Sequence, residues 1–149
     1  MKRKSTSEYP NNWTEIAKAV KEAAGWKCVR CGKPHDPENG YTLTVHHLDI
    51  DPSNCAWWNI PALCQRCHLS IQGRVVMERF YMFEHSEWFK PYLAGHYAKR
   101  IGWIGTRDYQ TSLVEFTREE AVNEIDMLII AVKENLTPIR GTGHFEEAW

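Results

Sequence analysis

Two Cys-x2-Cys pairs constrain this chain more than any other feature of its sequence. Cys28 and Cys31 form the first pair, and Cys64 and Cys67 form the second. Four thiolates are the ligand set of a closed, tetrahedral zinc site, and paired cysteines at this spacing are typical of zinc knuckles. The sequence therefore predicts one structural Zn²⁺ bound by all four cysteines. Four unrelated buried thiols are the alternative, but two such pairs rarely coincide by accident.

The remaining cysteine and the first residues indicate the compartment. Five cysteines are an odd number, and the opening MKRKSTSEYPNNW has a basic start with no apolar segment behind it. Neither a disulfide framework nor a signal peptide is therefore expected. No stretch approaches the roughly 18 apolar residues of a membrane span. We expect a cytoplasmic protein without membrane contact, in which Cys55 fills space in the core.

Three histidines stand where a second metal site can form. His46 and His47 follow the apolar segment YTLTV, which predicts a strand, and His68 directly follows Cys67. Neighbouring side chains on a strand point to opposite faces, so His46 and His47 are not expected to bind one ion together. One of them with His68 would form an open site suited to Mg²⁺, Mn²⁺ or another divalent ion. The other would then be free to move a proton.

Helical patterns flank this region. The segment NNWTEIAKAVKEAAG predicts an N-terminal helix, with Asn12 and Glu15 at capping-box spacing. The segment TREEAVNEIDMLIIAVKENL predicts a second helix, in which Thr117 and Glu120 form the capping box. Together with the short strand, these patterns predict the α+β class.

The middle and the end of the chain are harder to interpret. Residues 74–101 are predicted to be helical pieces interrupted at Pro91, and the aromatic-rich part, residues 80–103, is predicted to be buried. Residues 136–149 have no clear pattern and are predicted to be a tail. The predicted organisation is a flexible N-terminus at 1–11, a core at 12–74 and a helical C-terminal extension at 75–149 packed on the core.

The order of these residues resembles the HNH endonuclease family, the ββα-metal or His-Me finger nucleases built on a four-cysteine zinc knuckle. The residues that carry the resemblance are, in chain order, Cys28, Cys31, His46, His47, Asn59, Cys64, Cys67 and His68. The likeness covers about residues 13–72, and residues 75–149 match no recognised motif. The resemblance implies a short antiparallel pair of strands and a helix bearing His68, with an N-terminal helix before them and further C-terminal helices after them.

The resemblance also implies a role for each residue. His46 stands at a metal-ligand position, His47 at the position of the general base, and His68 at that of a second ligand. Asn59 stands where the family holds the loop and the base in place. The implied activity is metal-dependent hydrolysis of phosphodiester bonds in nucleic acid, leaving a 5′-phosphate and a 3′-hydroxyl. The implied cofactors are the structural Zn²⁺ and a catalytic divalent cation such as Mg²⁺, Mn²⁺ or Ni²⁺.

The chain departs from the family pattern just after His68. Many members carry a lysine a few residues beyond the final histidine, where this chain has Ser70-Ile71-Gln72. Arg66 or Arg74 is the candidate that would bind the substrate phosphate instead. Gln72 lies one helical turn after His68 and is a candidate further ligand, directly or through water.

Two other functions compete with the nuclease. One is a zinc-stabilised nucleic-acid-binding module that cleaves nothing, and the other is a structural domain in which a histidine replaces a cysteine at zinc. The formal net charge of −1 does not itself indicate a nucleic acid. Double-stranded DNA is the expected partner, while RNA, the type of cut, the sequence specificity and a homodimer are left open by the residues.

Overall fold

The computed structural model describes residues 9–77, 79, 86–141 and 144–147. Over these residues the fold is α+β, as predicted, with five α-helices and two separate two-stranded antiparallel sheets. Short 3-10 turns lie at Pro37–Asn39 and Trp57–Asn59. The elements are α1 (Trp13–Ala23), β1 (Leu43–Val45), β2 (Ala62–Cys64), α2 (Gln65–Gln72), α3 (Lys90–Arg100), α4 (Tyr109–Glu115), α5 (Arg118–Glu134), β3 (Leu136–Ile139) and β4 (His144–Glu147).

The first helix forms where the sequence predicts it, but without the predicted cap. Ile16 and Val20 are buried on one face of α1, one turn apart. The chain turns away after the helix at Gly25, whose φ of +65° suits a residue without a Cβ. The capping box predicted at Asn12 is wrong, because the Asn12 side chain makes no cap hydrogen bond. The Trp13 N–H instead donates to the Pro10 carbonyl at 3.0 Å.

A pair of strands and a helix follow the first cysteine pair. β1 runs antiparallel to β2, with Leu43 opposite Cys64 and Val45 opposite Ala62. The chain passes from β2 into α2 without a loop, and Cys64 is the N-cap of α2. The order strand, strand, helix therefore places Cys64, Cys67 and His68 within one short segment.

The C-terminal half is helical and ends in a second hairpin. Pro91 lies in the first turn of α3 instead of breaking a helix, since an N-terminal turn has no internal partner for the missing N–H. The capping box of α5 is confirmed, with both reciprocal bonds of Thr117 and Glu120 present. The tail predicted for residues 136–149 is wrong over the described residues, because β3 pairs antiparallel with β4. Asn135, in the left-handed conformation, ends α5 and turns the chain into β3.

One hydrophobic cluster contains side chains from both halves of the chain. In the aromatic-rich segment, Phe89, Tyr92 and Tyr97 are buried, and residues 80–85 lie outside the described residues. α3 approaches Trp58 so closely that a Cβ on Gly95 would lie 2.2 Å from the indole Cγ. Glycine is therefore required at that contact. The division at residues 74 and 75 stays a prediction.

No helix in the described part of the chain is both long and apolar enough to cross a bilayer.

Candidate metal centre and histidine cavity

The four paired cysteines converge on one point. The Sγ atoms of Cys28, Cys31, Cys64 and Cys67 all lie within 4.8 Å of one another. The Cys31 and Cys64 sulfurs are 3.7 Å apart. A tetrahedral zinc with Zn–S bonds of about 2.3 Å requires sulfurs about 3.8 Å apart. The cluster can therefore hold a metal ion such as zinc, as the spacing predicts.

Backbone and side-chain donors point at these sulfurs. The Cys31 N–H donates to Cys28 Sγ at 3.5 Å, and the Cys67 N–H donates to Cys64 Sγ at 3.4 Å. Arg30 adds a third donor, with Nη1 3.5 Å from Cys67 Sγ. Hydrogen bonds to sulfur stabilise the thiolate over the thiol. The two pairs thus share one geometry, with each second cysteine's N–H bonded to the first cysteine's sulfur.

Two of the four thiols, those of Cys31 and Cys67, resist losing their protons. Burial raises the pKa of the Cys67 thiol to about 12, and burial also raises the pKa of Cys31. Burial acts in the same direction at Cys28, but the hydrogen bonds from its neighbours outweigh it and lower its pKa. A cation bound among the sulfurs would therefore displace protons, and its affinity would fall with acid.

A separate cavity of about 170 Å³ lies against the end of β1 and the second half of α2. It brings together the three histidines that the sequence singles out. Gln72, the candidate further ligand, also lines it. The described residues that line the cavity are Tyr9, Val45, His46, His47, Ile50, Pro52, His68 and Gln72.

The imidazole rings of His46 and His68 lie close together in this cavity. Their ring centroids are 4.5 Å apart, and the His46 side chain is 9% exposed. Burial, and then the charges of His68 and His47, lower the pKa of His46 to about 4, and burial lowers the pKa of His68. Both rings are therefore neutral at pH 7 and can offer a lone pair to a cation.

The histidine pair is a smaller donor set than the cysteine cluster. Among the described residues, the four cysteines are the only group of three or more His, Cys, Asp or Glu side chains placed to share one ion. Two imidazoles and the Gln72 amide leave positions open for water and substrate, which suits a catalytic cation more than a structural one.

His47 has different neighbours from His46. It is 8% exposed, and its ring lies 4.7 Å from that of Trp13, the first residue of α1, and 5.7 Å from that of Tyr9. Its Nε2 is 4.0 Å from Cys55 Sγ. Aromatic packing from the N-terminal helix thus holds one side of this imidazole.

The reasoning from strand alternation does not describe how the two histidines differ. β1 ends at Val45, so His46 and His47 lie beyond the strand, and both line the same cavity. The difference is one of contacts, since His46 lies beside His68 and His47 lies beside Trp13. The roles of ligand and base stay predictions.

Asn59 is fully buried and connects the loop that follows the histidines. Its Oδ1 accepts from the Asp49 N–H at 3.1 Å, and its Nδ2 donates to Asp49 Oδ1 at 2.8 Å and to the Asn54 carbonyl at 2.9 Å. Its own carbonyl accepts from the Leu48 N–H at 2.9 Å. Because Leu48 directly follows His47, these four bonds restrain the backbone that carries the proposed base.

The C-terminal half holds the other side of this loop. The Cys55 N–H donates to the Arg107 carbonyl at 2.9 Å, and Arg107 also pairs with Asp51. The Trp57 N–H donates to Ser112 Oγ at 2.9 Å, and its indole Nε1 donates to the Phe116 carbonyl at 2.6 Å. Residues 107–116 therefore support the segment that leads to Asn59.

The two arginines proposed for the phosphate do not line the histidine cavity. Arg66 lies over the Tyr41 ring, with 4.4 Å from its Cζ to the ring centroid, and donates to the Asn39 and Gly40 carbonyls at 3.2 and 3.3 Å. Arg74 is exposed beyond the end of α2. Their substrate-binding role stays a prediction, and the contacts of Arg66 are those of a side chain that fixes a turn.

Sequence reasoning missed three contributors to the site, namely Thr44, Trp13 and Asp49. Thr44 Oγ1 lies 2.9 Å from His68 Nδ1. No short-range pattern indicates this contact, because Thr44 lies in β1 and His68 lies in α2. No short-range pattern indicates that Trp13 would reach His47, since that contact depends on how α1 packs.

None of the known protein families, curated proteins or solved structures compared with this chain matches it. The geometry of the site therefore carries the functional argument.

Proposed function

We propose that this chain is a metal-dependent endonuclease of the HNH class that hydrolyses phosphodiester bonds in DNA. The observation that carries the proposal is the meeting of His46, His47 and His68 in one cavity of a chain that also has a four-cysteine cluster. Local sequence explains only part of that meeting, because His68 comes from α2 and the other two follow β1. A domain that used zinc for structure alone would not need three imidazoles at one cavity.

In this proposal His46 and His68 hold the catalytic divalent cation, and Gln72 completes the protein's share of its ligands. Mg²⁺, Mn²⁺ and Ni²⁺ are the proposed ions, and Zn²⁺ fills the cysteine cluster. When bound, the divalent cation supplies charge stabilisation for the phosphate and the departing oxygen. The low pKa of His46 keeps its lone pair available to a cation in mildly acidic solution.

His47 is the proposed general base. It would take a proton from a water molecule, whose oxygen then attacks the phosphorus while the P–O3′ bond breaks. The products are a 5′-phosphate and a 3′-hydroxyl, and the departing 3′ oxygen gains a proton from solvent. The packing of His47 against Trp13 would keep its ring in place during this step.

Asn59 is the proposed positioning residue for the base. Its side chain bonds to Asp49 and to the Asn54 carbonyl, and its carbonyl bonds to the residue after His47. The proposal also includes a double-stranded substrate, substrate contacts by Arg66 and Arg74, a homodimer and a cytoplasmic location.

A cleavage assay on supercoiled plasmid DNA tests the proposal. Zinc-loaded protein should nick or linearise the plasmid when Mg²⁺, Mn²⁺ or Ni²⁺ is added, and EDTA should stop the reaction. His47→Ala should abolish cleavage, whereas His144→Ala, at an exposed histidine of β4, should not. Binding of DNA without cleavage under all three ions would favour the zinc-stabilised binding module instead.

A further inference from the structure

The hydrogen bonds around His68 determine which of its ring nitrogens carries the proton. Thr44 Oγ1 lies 2.7 Å from the Leu63 carbonyl oxygen and 2.9 Å from His68 Nδ1. Thr44 and Leu63 are directly opposite each other in the β1–β2 pair. The hydroxyl thus lies between a backbone acceptor and the imidazole.

A threonine hydroxyl has one hydrogen to donate, and a carbonyl oxygen has none. Two oxygens 2.7 Å apart repel each other unless a hydrogen lies between them, so the Thr44 hydrogen points to the Leu63 carbonyl. Towards His68, Thr44 Oγ1 can then only accept. The contact at 2.9 Å therefore places a proton on His68 Nδ1.

We propose that Thr44 is a positioning residue whose hydroxyl holds His68 in the Nδ1-protonated tautomer and so keeps the Nε2 lone pair for a divalent cation. This inference deepens the proposed function and rests on it for the cation. In water the neutral imidazole of histidine favours a proton on Nε2, so the tautomer required here is the less favoured one. Hydrogen bonds from outside the ligand set that fix a histidine's tautomer commonly change metal affinity about 10- to 100-fold.

The β1–β2 pair explains why the Thr44 hydroxyl keeps this orientation. If the Thr44 hydroxyl turned its hydrogen towards His68, the Leu63 carbonyl would lose the hydrogen bond from Thr44, which costs free energy. Its β-branched side chain also has few rotamers available in a strand. Valine has nearly the same shape, so Thr44→Val removes the hydroxyl with little change in packing.

Nitrogen NMR tests the tautomer directly. We would record long-range ¹H–¹⁵N spectra of the ¹⁵N-labelled, zinc-loaded protein without a second divalent ion, and assign His68 from the signals missing in His68→Gln. The wild type should show a protonated Nδ1 and an unprotonated Nε2. Thr44→Val should shift His68 towards the Nε2-protonated form, and Thr44→Ser should restore the wild-type pattern. The matched control is Thr42→Val. Thr42 bonds Gln65 through its backbone N–H and not through its hydroxyl, so the substitution keeps that bond.

Calorimetric titration with Mn²⁺ gives a second readout. Thr44→Val should bind Mn²⁺ about 10- to 100-fold more weakly than the wild type, while Thr42→Val and Thr44→Ser should bind it about equally well. A wild-type His68 with its proton on Nε2 overturns the inference, and so does a Thr44→Val protein with an unchanged tautomer or unchanged Mn²⁺ affinity.

The inference and the proposed function can fail separately. If the tautomer and Mn²⁺ affinity change as expected but plasmid DNA is never cut, positioning by Thr44 stands and the nuclease proposal fails. If cleavage requires His47 but the tautomer does not depend on Thr44, the nuclease proposal stands and positioning by Thr44 fails.

Discussion

Replacing Ser112 by alanine should show that the C-terminal half stabilises the loop that leads to Asn59. Ser112 is fully buried in α4, and its Oγ makes two bonds. It accepts from the Trp57 N–H at 2.9 Å and donates to the Tyr109 carbonyl at 2.7 Å. In Ser112→Ala the Trp57 N–H keeps its buried position and loses the Ser112 acceptor.

The expected loss follows from those two bonds. A buried donor left unsatisfied costs about 1–3 kcal/mol, and the lost bond to the Tyr109 carbonyl adds about 1 kcal/mol. The free energy of unfolding should therefore fall by about 2–4 kcal/mol, a large share of the roughly 5–15 kcal/mol of an ordinary domain. The change removes only an oxygen atom, so a cavity contributes little to this figure.

Urea denaturation of the zinc-loaded protein measures this loss. The matched control is Ser53→Ala, since Ser53 is exposed and its hydroxyl bonds only surface groups, Asp51 and Arg107. That variant should lose less than about 1 kcal/mol. The reasoning is refuted if Ser112→Ala is as stable as Ser53→Ala. It is also refuted if the loss affects only a separate unfolding transition of the C-terminal half.

Four further experiments test other parts of the structure. Elemental analysis should find one zinc per chain, and a strong chelator should unfold residues 26–73, because metal binding in such sites supplies folding energy; retained circular dichroism after zinc removal would contradict this. Gly95→Ala should clearly lower the midpoint of thermal unfolding, because the added Cβ would overlap the Trp58 indole. Gly73→Ala should leave the midpoint unchanged, because a Cβ there would have no atom within 4 Å. His46→Ala and His68→Ala should weaken Mn²⁺ binding without releasing zinc, and loss of zinc from either would contradict separate sites. Burial lowers the pKa of His96 to about 3, below the ordinary value of 6.5. The protein should therefore lose stability as the pH drops from about 6.5 towards 3, and His96→Phe should lose less. Equal pH profiles of the two proteins in thermal unfolding would contradict this.

The parts of the site that the sequence predicts are those set by neighbours along the chain. A Cys-x2-Cys turn brings two sulfurs together within four residues, and Cys64 also caps the helix that carries His68. The cap of α5 by Thr117 and Glu120 is similarly local, and the structure confirms it. The same kind of reasoning fails at Asn12, since spacing alone does not fix where the side chain points.

What the sequence does not predict depends on long-range contacts. The bonds from Trp57 to Ser112 and Phe116 span 55 and 59 residues. No periodicity in either segment indicates the other. The final hairpin is missed for a related reason. Its first strand contains Pro138, which lowers strand propensity, and the Arg140 guanidinium anchors the turn through Glu115 and Glu120.

The surroundings of the two adjacent histidines differ for a reason that the local rule does not give. Alternation along a strand predicts opposite faces for His46 and His47, but the strand ends at Val45. Their environments differ because two separate elements reach the same short segment. α2 brings His68 to His46, and α1 brings Trp13 to His47. Because all three histidines line one cavity, a cation held by His46 and His68 would have the His47 imidazole nearby.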